Sequence, residues 1–203
     1  MQDTTNSAGI AGRICRLELS HRIYGEAFYT FMLECARLSE KKDVLPVTVS
    51  ERLLSRYPLC EGAAVLVQGQ LRSYNKLIDG KVRLCLTVFA REIREAQGNV
   101  NEILLQGFLC KKPVYRITPF GREITDMLVA VNRAFNKSDY IPCIVWGDNA
   151  RFAEGFDVGG KVRLWGRIQS REYEKAMENG EKLKRTAYEV SVSRLEKEWQ
   201  GNA

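Results

Sequence analysis

The sequence predicts an all-β chain with short helices, organised as two tandem five-stranded barrels. Three observations support this prediction. The chain carries an internal repeat of about 95 residues, each copy contains a series of strand-like segments, and each copy has one short helix-like segment at the same place. A chain of 203 residues is long enough for two small domains of this kind.

The repeat keeps the same order of matched residues over a whole domain length, with a shift of one residue along the way. Chance similarity between two β-rich segments would not hold such an order for this long, so the two copies are expected to share one fold. The matched pairs are Gly12 and Gly107, Cys15 and Cys110, Gly25 and Gly121, Leu33 and Val129, Arg37 and Arg133, Asp43 and Asp139, and Leu71 and Ile168.

The second copy shows its strands most clearly. In residues 161–170, Val162, Leu164 and Ile168 alternate with polar or large side chains, which is typical of a strand with one buried face. Mid-strand glycines at Gly69 and Gly166 indicate a bulge or a sharp bend at the same place in both copies. The five predicted strands of the second copy are 103–109, 123–133, 140–146, 161–170 and 186–192.

A short helix is predicted between the third and fourth strands of each copy. In the second copy it covers residues 148–155, with Asp148 as N-cap and Gly155 as stop, and in the first copy it covers 50–57. Five strands with a helix in this position is the order of the oligonucleotide-binding (OB) fold, a Greek-key barrel. We therefore expect one OB barrel in residues 1–96 and another in 97–203, joined by the polar segment 94–101.

Composition narrows the function classes. The net charge is +6, and each half of the chain carries an excess of three positive charges (14 − 11 and 17 − 14), so an anion-binding surface must come from folding rather than from a basic tail. The six cysteines are scattered and the chain has one histidine, so we expect no metal site, no cofactor and reduced, buried cysteines. The N-terminal segment has no apolar run and no segment is long enough to span a membrane, which favours a cytoplasmic protein.

Arginine and aromatic residues interleave on the predicted strands of the second copy. Guanidinium groups suit phosphates and aromatic faces suit unstacked bases, so this pattern is typical of a surface that binds single-stranded nucleic acid without reading its sequence. The residues concerned include Arg116, Arg122, Arg133, Phe135, Tyr140, Trp146, Arg163, Trp165, Arg167, Arg171, Tyr173 and Arg185.

Residues 101 to about 195 resemble the bacterial single-stranded DNA-binding protein family. The resemblance rests on NEILLQGFL (101–109), KPVYRIT (112–118), VAVNRAF (129–135), VRLWGRIQSREY (162–173) and RTAYEV (185–190). It implies an OB-fold, binding of single-stranded DNA and assembly into units of four barrels, here a homodimer. It places base-stacking positions on Phe135, Tyr140, Trp146 and Tyr173, and basic positions on Arg116, Arg133, Arg171 and Arg185; the residue pattern adds Arg167.

The first copy departs from the family. The repeat places Ser39, Val44 and Ser50 opposite three of the stacking positions, and only Tyr74 lies near the fourth, beside Arg72 and Lys76. The first barrel is thus expected either to bind weakly through charge or to act in dimerisation or docking. The chain ends without the acidic, Phe-terminated tip usual in the family, which puts recruitment of replication proteins through a tail in doubt.

Three other functions remain open from the sequence. An enzyme is disfavoured because the single histidine, His21, stands on a turn-like segment with no nucleophile partner, and no phosphate-binding loop occurs. An OB-fold assembly module of the replication machinery would explain the sparse first copy. A single-stranded RNA binder would use the same arginines and aromatics.

Overall fold

The structure, a computed structural model, describes residues 5–37, 39, 41–176 and 182–198. Over these residues the chain forms strands with two short helices, which confirms the all-β class. The strands are β1 (Asn6–Ile23), β2 (Glu26–Ala36), β3 (Lys42–Ser50), β4 (Ala64–Ile78), β5 (Lys81–Glu95), β6 (Asn101–Leu109), β7 (Val114–Ile117), β8 (Glu123–Arg133), β9 (Lys137–Trp146), β10 (Lys161–Ala176) and β11 (Lys182–Glu198), and the helices are α1 (Glu51–Arg56) and α2 (Asp148–Glu154).

The strands close into two rings with the same topology. In the first barrel, β1 pairs with β2, β2 with β3, β3 with β5, β5 with β4, and β4 with β1. In the second barrel, β6, β8, β9, β11 and β10 repeat this circuit, and β7 is added beside β8. The pairings β3–β5 and β9–β11 are parallel, and the remaining ones are antiparallel. This is the Greek-key order of the OB-fold, so the predicted tandem five-stranded barrels are confirmed.

The interior of each barrel is filled by alternate residues of its strands. Val162, Leu164 and Ile168 are buried, as their alternation predicted. In the first barrel the equivalent positions on β4 are Val65, Val67 and Leu71, and they are buried as well. The buried side chains of both barrels form one continuous apolar cluster.

The two mid-strand glycines lie at bulges, as predicted. The β4–β5 register shifts between Gln68 and Gly69, and the β10–β11 register shifts between Trp165 and Gly166. A Cβ atom on Gly69 would lie 2.1 Å from the carbonyl oxygen of Phe89, and one on Gly166 would lie 2.3 Å from that of Ser191. The neighbouring strand therefore approaches too closely for any side chain.

The helices occupy the predicted places, but only α1 has a side chain that caps its N-terminus. Helix α1 follows Ser50, whose hydroxyl accepts a hydrogen bond from the Leu53 backbone N–H at 3.3 Å. Helix α2 starts after Gly147, which has a φ of 58°, and no side chain caps it. The predicted N-cap role of Asp148 was therefore wrong, because the left-handed turn at Gly147 places Asp148 already inside the helix.

Two further expectations are corrected by the structure. Only Cys35 and Cys143 are buried, whereas Cys15 and Cys60 are exposed and the other two are half-buried; all six are free thiols. His21 lies inside the long strand β1 rather than on a turn.

In the part of the chain that the structure describes, no helix has the length and apolar character needed to cross a membrane.

Candidate nucleic-acid interface

The two barrels are joined by a junction that is built twice, once from each copy of the repeat. Strands β1 and β6 pair antiparallel, with Ala8 opposite Ile103, which links the two rings into one sheet. The side-chain amide of Asn6 bonds both the carbonyl oxygen and the N–H of Leu71, at 2.8 and 2.9 Å. Asn101 makes the same pair of bonds to Ile168, also at 2.8 and 2.9 Å. The junction is therefore close to two-fold symmetric.

Two buried carboxylates anchor the junction. Asp43 accepts hydrogen bonds from Arg37 Nε at 2.7 Å, from the Ser170 backbone N–H at 2.7 Å, and from Arg167 at 3.2 Å. Thus a carboxylate of the first barrel is neutralised in part by the second. Without such partners its burial would be very costly.

Asp139 repeats the arrangement in the opposite sense. Its carboxylate accepts a hydrogen bond from the Ser73 backbone N–H of the first barrel at 2.7 Å. It also lies 3.2 Å from Arg133 Nε and 4.0 Å from Arg72 Nε. The aspartates aligned by the internal repeat, Asp43 and Asp139, thus have the same task, which is to hold one barrel against a strand of the other.

The pKa of the Asp43 carboxyl reflects this environment. Burial by itself would raise the pKa, because it disfavours the charged form. The hydrogen bonds from Arg37 and from the Ser170 N–H outweigh burial, and the charge of Arg167 adds to them, so the pKa lies below its ordinary value. Asp43 is therefore ionised at neutral pH and contributes a fixed negative charge to the junction.

A cleft of about 970 Å³ opens beside this junction and is strongly basic. Among its described lining residues, seven are lysine or arginine and one is acidic, and they come from both barrels. We call it the basic cleft; its charged lining is Arg16, Arg37, Lys41, Lys42, Arg122, Arg167, Arg171 and Glu172. Such a surface attracts a polyanion by summed charge, and the low-dielectric walls of a cleft strengthen the field.

Trp146 lines the basic cleft and gives it an aromatic face. It is the last residue of β9, and the turn at Gly147 leads the chain away, so the half-buried ring remains accessible from the cleft. Its indole Nε1–H donates a hydrogen bond to the Ser191 hydroxyl at 3.1 Å, which fixes the ring on the outer face of the barrel. An orientated indole among guanidinium groups can stack a base while its phosphates are neutralised.

The other predicted stacking residues lie apart from Trp146. Phe135 stands at the tip of the β8–β9 hairpin with φ 62° and is 93% exposed. Tyr140 is exposed on the outer face of β9, where its backbone N–H donates to the Ser73 hydroxyl at 2.7 Å. Tyr173 lines a second groove of about 660 Å³ between the β4–β5 hairpin and β11. The basic cleft and this second groove share Thr186 and Tyr188 in their linings.

The five predicted arginines of the second barrel all have acidic partners. Arg133 and Arg167 belong to the junction, and the side chain of Arg185 is only 11% exposed where it pairs with Asp79 of the first barrel. Arg116 and Arg171 keep half or more of their side chains in solvent. The ion pairs are Arg116–Asp126, Arg133–Asp139, Arg167–Asp43, Arg171–Glu189 and Arg185–Asp79.

Of the three residues predicted for the first barrel, one lies beside a buried carboxylate and two are exposed. Arg72 is half-buried beside Asp139. Its pKa is lowered mainly by burial and, to a smaller extent, by the nearby positive charge of Arg133. Tyr74 and Lys76 are exposed on β4. Of the positions expected to lack a platform, Ser50 caps α1 and Val44 lies at the mouth of the basic cleft.

Sequence reasoning missed the contribution of the first barrel to the basic cleft. Arg16 and Lys42 line it from β1 and β3, although neither stands near an aromatic residue in the sequence. The pairing of Arg16 with Met32 across β1 and β2 places Arg16 on the outer face. One signal in the sequence pointed to a role for this region of the first barrel. Arg37 and Arg133 match in the repeat and each stands near a matched aspartate, which indicates a shared structural contact. Within the described residues, no cluster of histidine, cysteine and acidic side chains could hold a metal ion.

Comparison with known proteins finds relatives of the second barrel. The single-strand binding protein family matches residues 100–197. A single-stranded DNA-binding protein of Clostridium tetani is 38% identical over 82 residues, which cover 37% of this chain and 57% of that protein. Single-stranded DNA-binding protein 2 of Listeria innocua is 38% identical over 82 residues, covering 37% and 52%. The chain spans about half the length of the curated relatives it matches.

A solved structure resembles both barrels together. The wild-type single-stranded DNA binding protein from Thermus aquaticus superposes with a TM-score of 0.76 at 22% identity, covering 98% of this chain and 95% of that one. This likeness shows that the whole chain shares its tandem-barrel fold. Over residues 100–197, its second barrel, the chain is similar to the single-strand binding protein family.

Proposed function

We propose that the protein is a non-catalytic binder of single-stranded DNA that tolerates any sequence, and that it serves replication, recombination or repair. The observation that carries the proposal is the basic cleft, which is lined by Trp146 together with cationic side chains of both barrels. The curated relatives that match are named single-stranded DNA-binding proteins, which supports the same ligand. Residues 1–96 and 97–203 would act as its two binding units.

The geometry divides the predicted residues into three groups. Trp146, Arg122 and Arg171 face the basic cleft and are the residues on which we expect base and phosphate contacts to depend most. Phe135, Tyr140 and the exposed Arg116 would extend the path across the second barrel, and Tyr173 with Arg185 would line its continuation in the second groove. Arg133, Arg167 and Arg72 would act mainly by holding the junction, because a buried carboxylate already occupies them.

The test is a titration of the full chain with oligo-dT, followed by tryptophan fluorescence in a Trp165→Phe background. Trp165 packs under Arg194, 4.6 Å from the guanidinium carbon, and does not line the basic cleft, so its removal reduces background and leaves the site intact. Quenching is expected because a stacked base contacts Trp146. Binding should weaken with salt, since log K falls by about 0.7 per neutralised phosphate for each tenfold rise in salt on single strands.

Trp146→Ala lacks the reporting indole, so its affinity is measured by the fluorescence anisotropy of a dye-labelled oligo-dT, alongside the unsubstituted chain. The substitution should weaken binding by roughly 1–3 kcal/mol, the worth of one stacked base. Trp146→Phe keeps an aromatic face and should lose less. Unchanged affinity in the alanine variant, or an affinity that does not respond to salt, would contradict the proposal. An oligo-U titration in parallel decides between DNA and RNA. If no oligonucleotide binds, the tandem barrels are better explained as an assembly module of the replication machinery.

We also propose that two chains associate into a homodimer, which would bring four barrels together. The support is the resemblance of the second barrel to a family whose members assemble into four barrels.

A further inference from the structure

The strand register reveals an exchange of residues between the two barrels. In the second barrel, Trp146 ends β9 and bonds to Ser191 on β11. The parallel pairings match Val47–Val88 of the first barrel with Cys143–Val190 of the second, so Ser50 occupies the place of Trp146 and Phe89 occupies the place of Ser191. The first barrel thus also has an aromatic residue and a serine at this pair of positions, but each stands on the opposite strand.

A second aromatic residue stands next to the exchanged pair. Phe28 on β2 lies directly opposite Ser50 in the β2–β3 register. Its counterpart in the second barrel is Ile124, opposite Trp146, and that side chain is buried with 1% of its surface exposed. Phe28 and Phe89, in contrast, are both partly open to solvent.

These two rings form a row with other flat groups on the outer face of the first barrel. The rings of Phe28 and Phe89 are 6.1 Å apart, and His21 stacks on Phe28 at 5.2 Å with an angle of 10° between the planes. The guanidinium carbon of Arg72 lies 5.6 Å from the centre of the Phe89 ring. We call this set, His21, Phe28, Phe89 and Arg72, the aromatic row. It combines ring faces with a cation, as a stacking platform for bases requires.

The aromatic row does not belong to the core of the barrel. On β5 the residues on either side of Phe89, Val88 and Ala90, are buried, so Phe89 points outwards by the alternation of the strand. On β2 the same holds for Phe28, which follows the buried Ala27. Neither phenylalanine is part of the continuous apolar cluster that fills the barrels.

The aromatic row is connected to the basic cleft along one strand. Met32 lines the cleft, and Thr30 and Phe28 follow it on the same outer face of β2. Four residues of strand separate Met32 from Phe28, which is about 13 Å. A single strand bound in the basic cleft could therefore continue onto the aromatic row without leaving the protein surface.

We propose that the first barrel binds bases of single-stranded DNA by stacking on Phe28 and Phe89, while the guanidinium of Arg72, which Asp139 holds at the junction, packs beside the Phe89 ring. This inference rests on the proposed function and deepens it, because it assigns the first barrel a binding site at positions different from those of the second. The first barrel then contributes to the length of strand that the protein covers.

The experiment measures the affinity of the full chain for oligo-dT of increasing length. Phe89→Leu keeps an apolar side chain but removes the flat ring. It should weaken binding of long oligonucleotides about fivefold, near the lower end of the effect of one stacked base, and leave the shortest ones that bind unchanged. Phe152→Leu is the matched control, since Phe152 is a solvent-accessible phenylalanine on α2 that packs on Phe156 and lines neither cleft.

A loss of affinity in Trp146→Ala but not in Phe89→Leu would overturn this inference and leave the proposed function standing. Failure of the wild-type chain to bind any oligo-dT would overturn both. If Phe89→Leu does not fold, photo-crosslinking of the wild-type chain to an iodouridine-substituted oligonucleotide decides. An adduct on Phe28 or Phe89, mapped by mass spectrometry, supports the proposal, and adducts confined to the second barrel overturn it.

Discussion

The substitution Asp43→Asn tests how the two barrels are held together. Asn has the same shape but no charge, so it would leave Arg37 and Arg167 without their shared counter-ion at the junction. The Asp43 side chain is fully buried, whereas the two arginines are 23% and 37% exposed. Breaking a buried ion pair costs about 3–5 kcal/mol. We expect about 3 kcal/mol, because water can solvate part of each exposed guanidinium.

This loss of free energy of unfolding translates into a measurable shift. For a chain of this size, each kcal/mol changes Tm by about 2–4 °C, so Asp43→Asn should melt about 6–12 °C below the wild-type chain. The matched control is Asp126→Asn, which removes the exposed ion pair to Arg116 and should cost less than about 1 kcal/mol. Urea unfolding at pH 7, followed by circular dichroism, gives the difference between the two variants.

The effect of pH follows from the sign of the pKa shift. Since the pKa of Asp43 in the folded chain lies below its ordinary value of 3.8, its stabilising effect is fully present above that value. The effect is lost as the pH falls through the folded pKa. The gap in stability between the wild-type chain and Asp43→Asn should therefore stay constant from pH 7 to pH 5 and close in more acidic buffer.

The same substitution, Asp43→Asn, should strengthen the binding of oligo-dT although it lowers the stability of the chain. Asp43→Asn removes one negative charge beside the basic cleft, so its affinity at low salt should rise while its stability falls. A Tm within 2 °C of the wild-type value at pH 7, or a gap that persists at low pH, would refute the reasoning. A fall in affinity of the folded variant would instead show that the position of Arg167, rather than its charge, matters for binding.

Two further predictions concern strand packing and assembly. Gly166→Ala should destabilise the chain by about 1–3 kcal/mol in urea unfolding, because its Cβ atom would collide with the carbonyl oxygen of Ser191. Gly155→Ala is the control and should have little effect, because its Cβ atom would lie 3.7 Å from the nearest neighbour. Equal stabilities of the two variants would contradict this account. Light scattering at micromolar concentration should give the mass of a homodimer of 23.1 kDa chains, and a monomer would end that proposal.

The fold could be predicted because its signals are local. Alternation along residues 161–170 defined the buried face of β10, and Gly69 and Gly166 marked the bulges in both copies. The limits of β8 agreed with those read from the sequence. The place of α2 and its end at Gly155 were predicted correctly, but the N-cap role of Asp148 was wrong because Gly147, with its positive φ, takes that position.

The site could be predicted only in part, because ion pairing depends on contacts far apart in the sequence. Arg133 stands close to Asp139 in the chain, yet the bond from the Ser73 N–H to that carboxylate crosses 66 residues. Nothing in the pattern of arginines around residue 167 indicates that Arg167 reaches Asp43 of the other barrel. The sequence identifies arginine positions, but only the fold shows which of them are already neutralised.

The duplication explains why the junction and the outer face have diverged to different degrees. At the junction, Asp43 and Asp139 each accept a hydrogen bond from a strand of the other barrel. A change in one copy would therefore leave a buried charge without a partner. Both copies have the aspartate, the arginine and the serine at these positions. At the exchanged positions of the outer face, Ser50, Phe89, Trp146 and Ser191, the described residues show no hydrogen bond or ion pair to the other barrel. If the first barrel stacks bases as proposed, Ser50 and Phe89 can stand where the second barrel has Trp146 and Ser191, because a stacked base requires a flat ring near a cation rather than a ring at one fixed position.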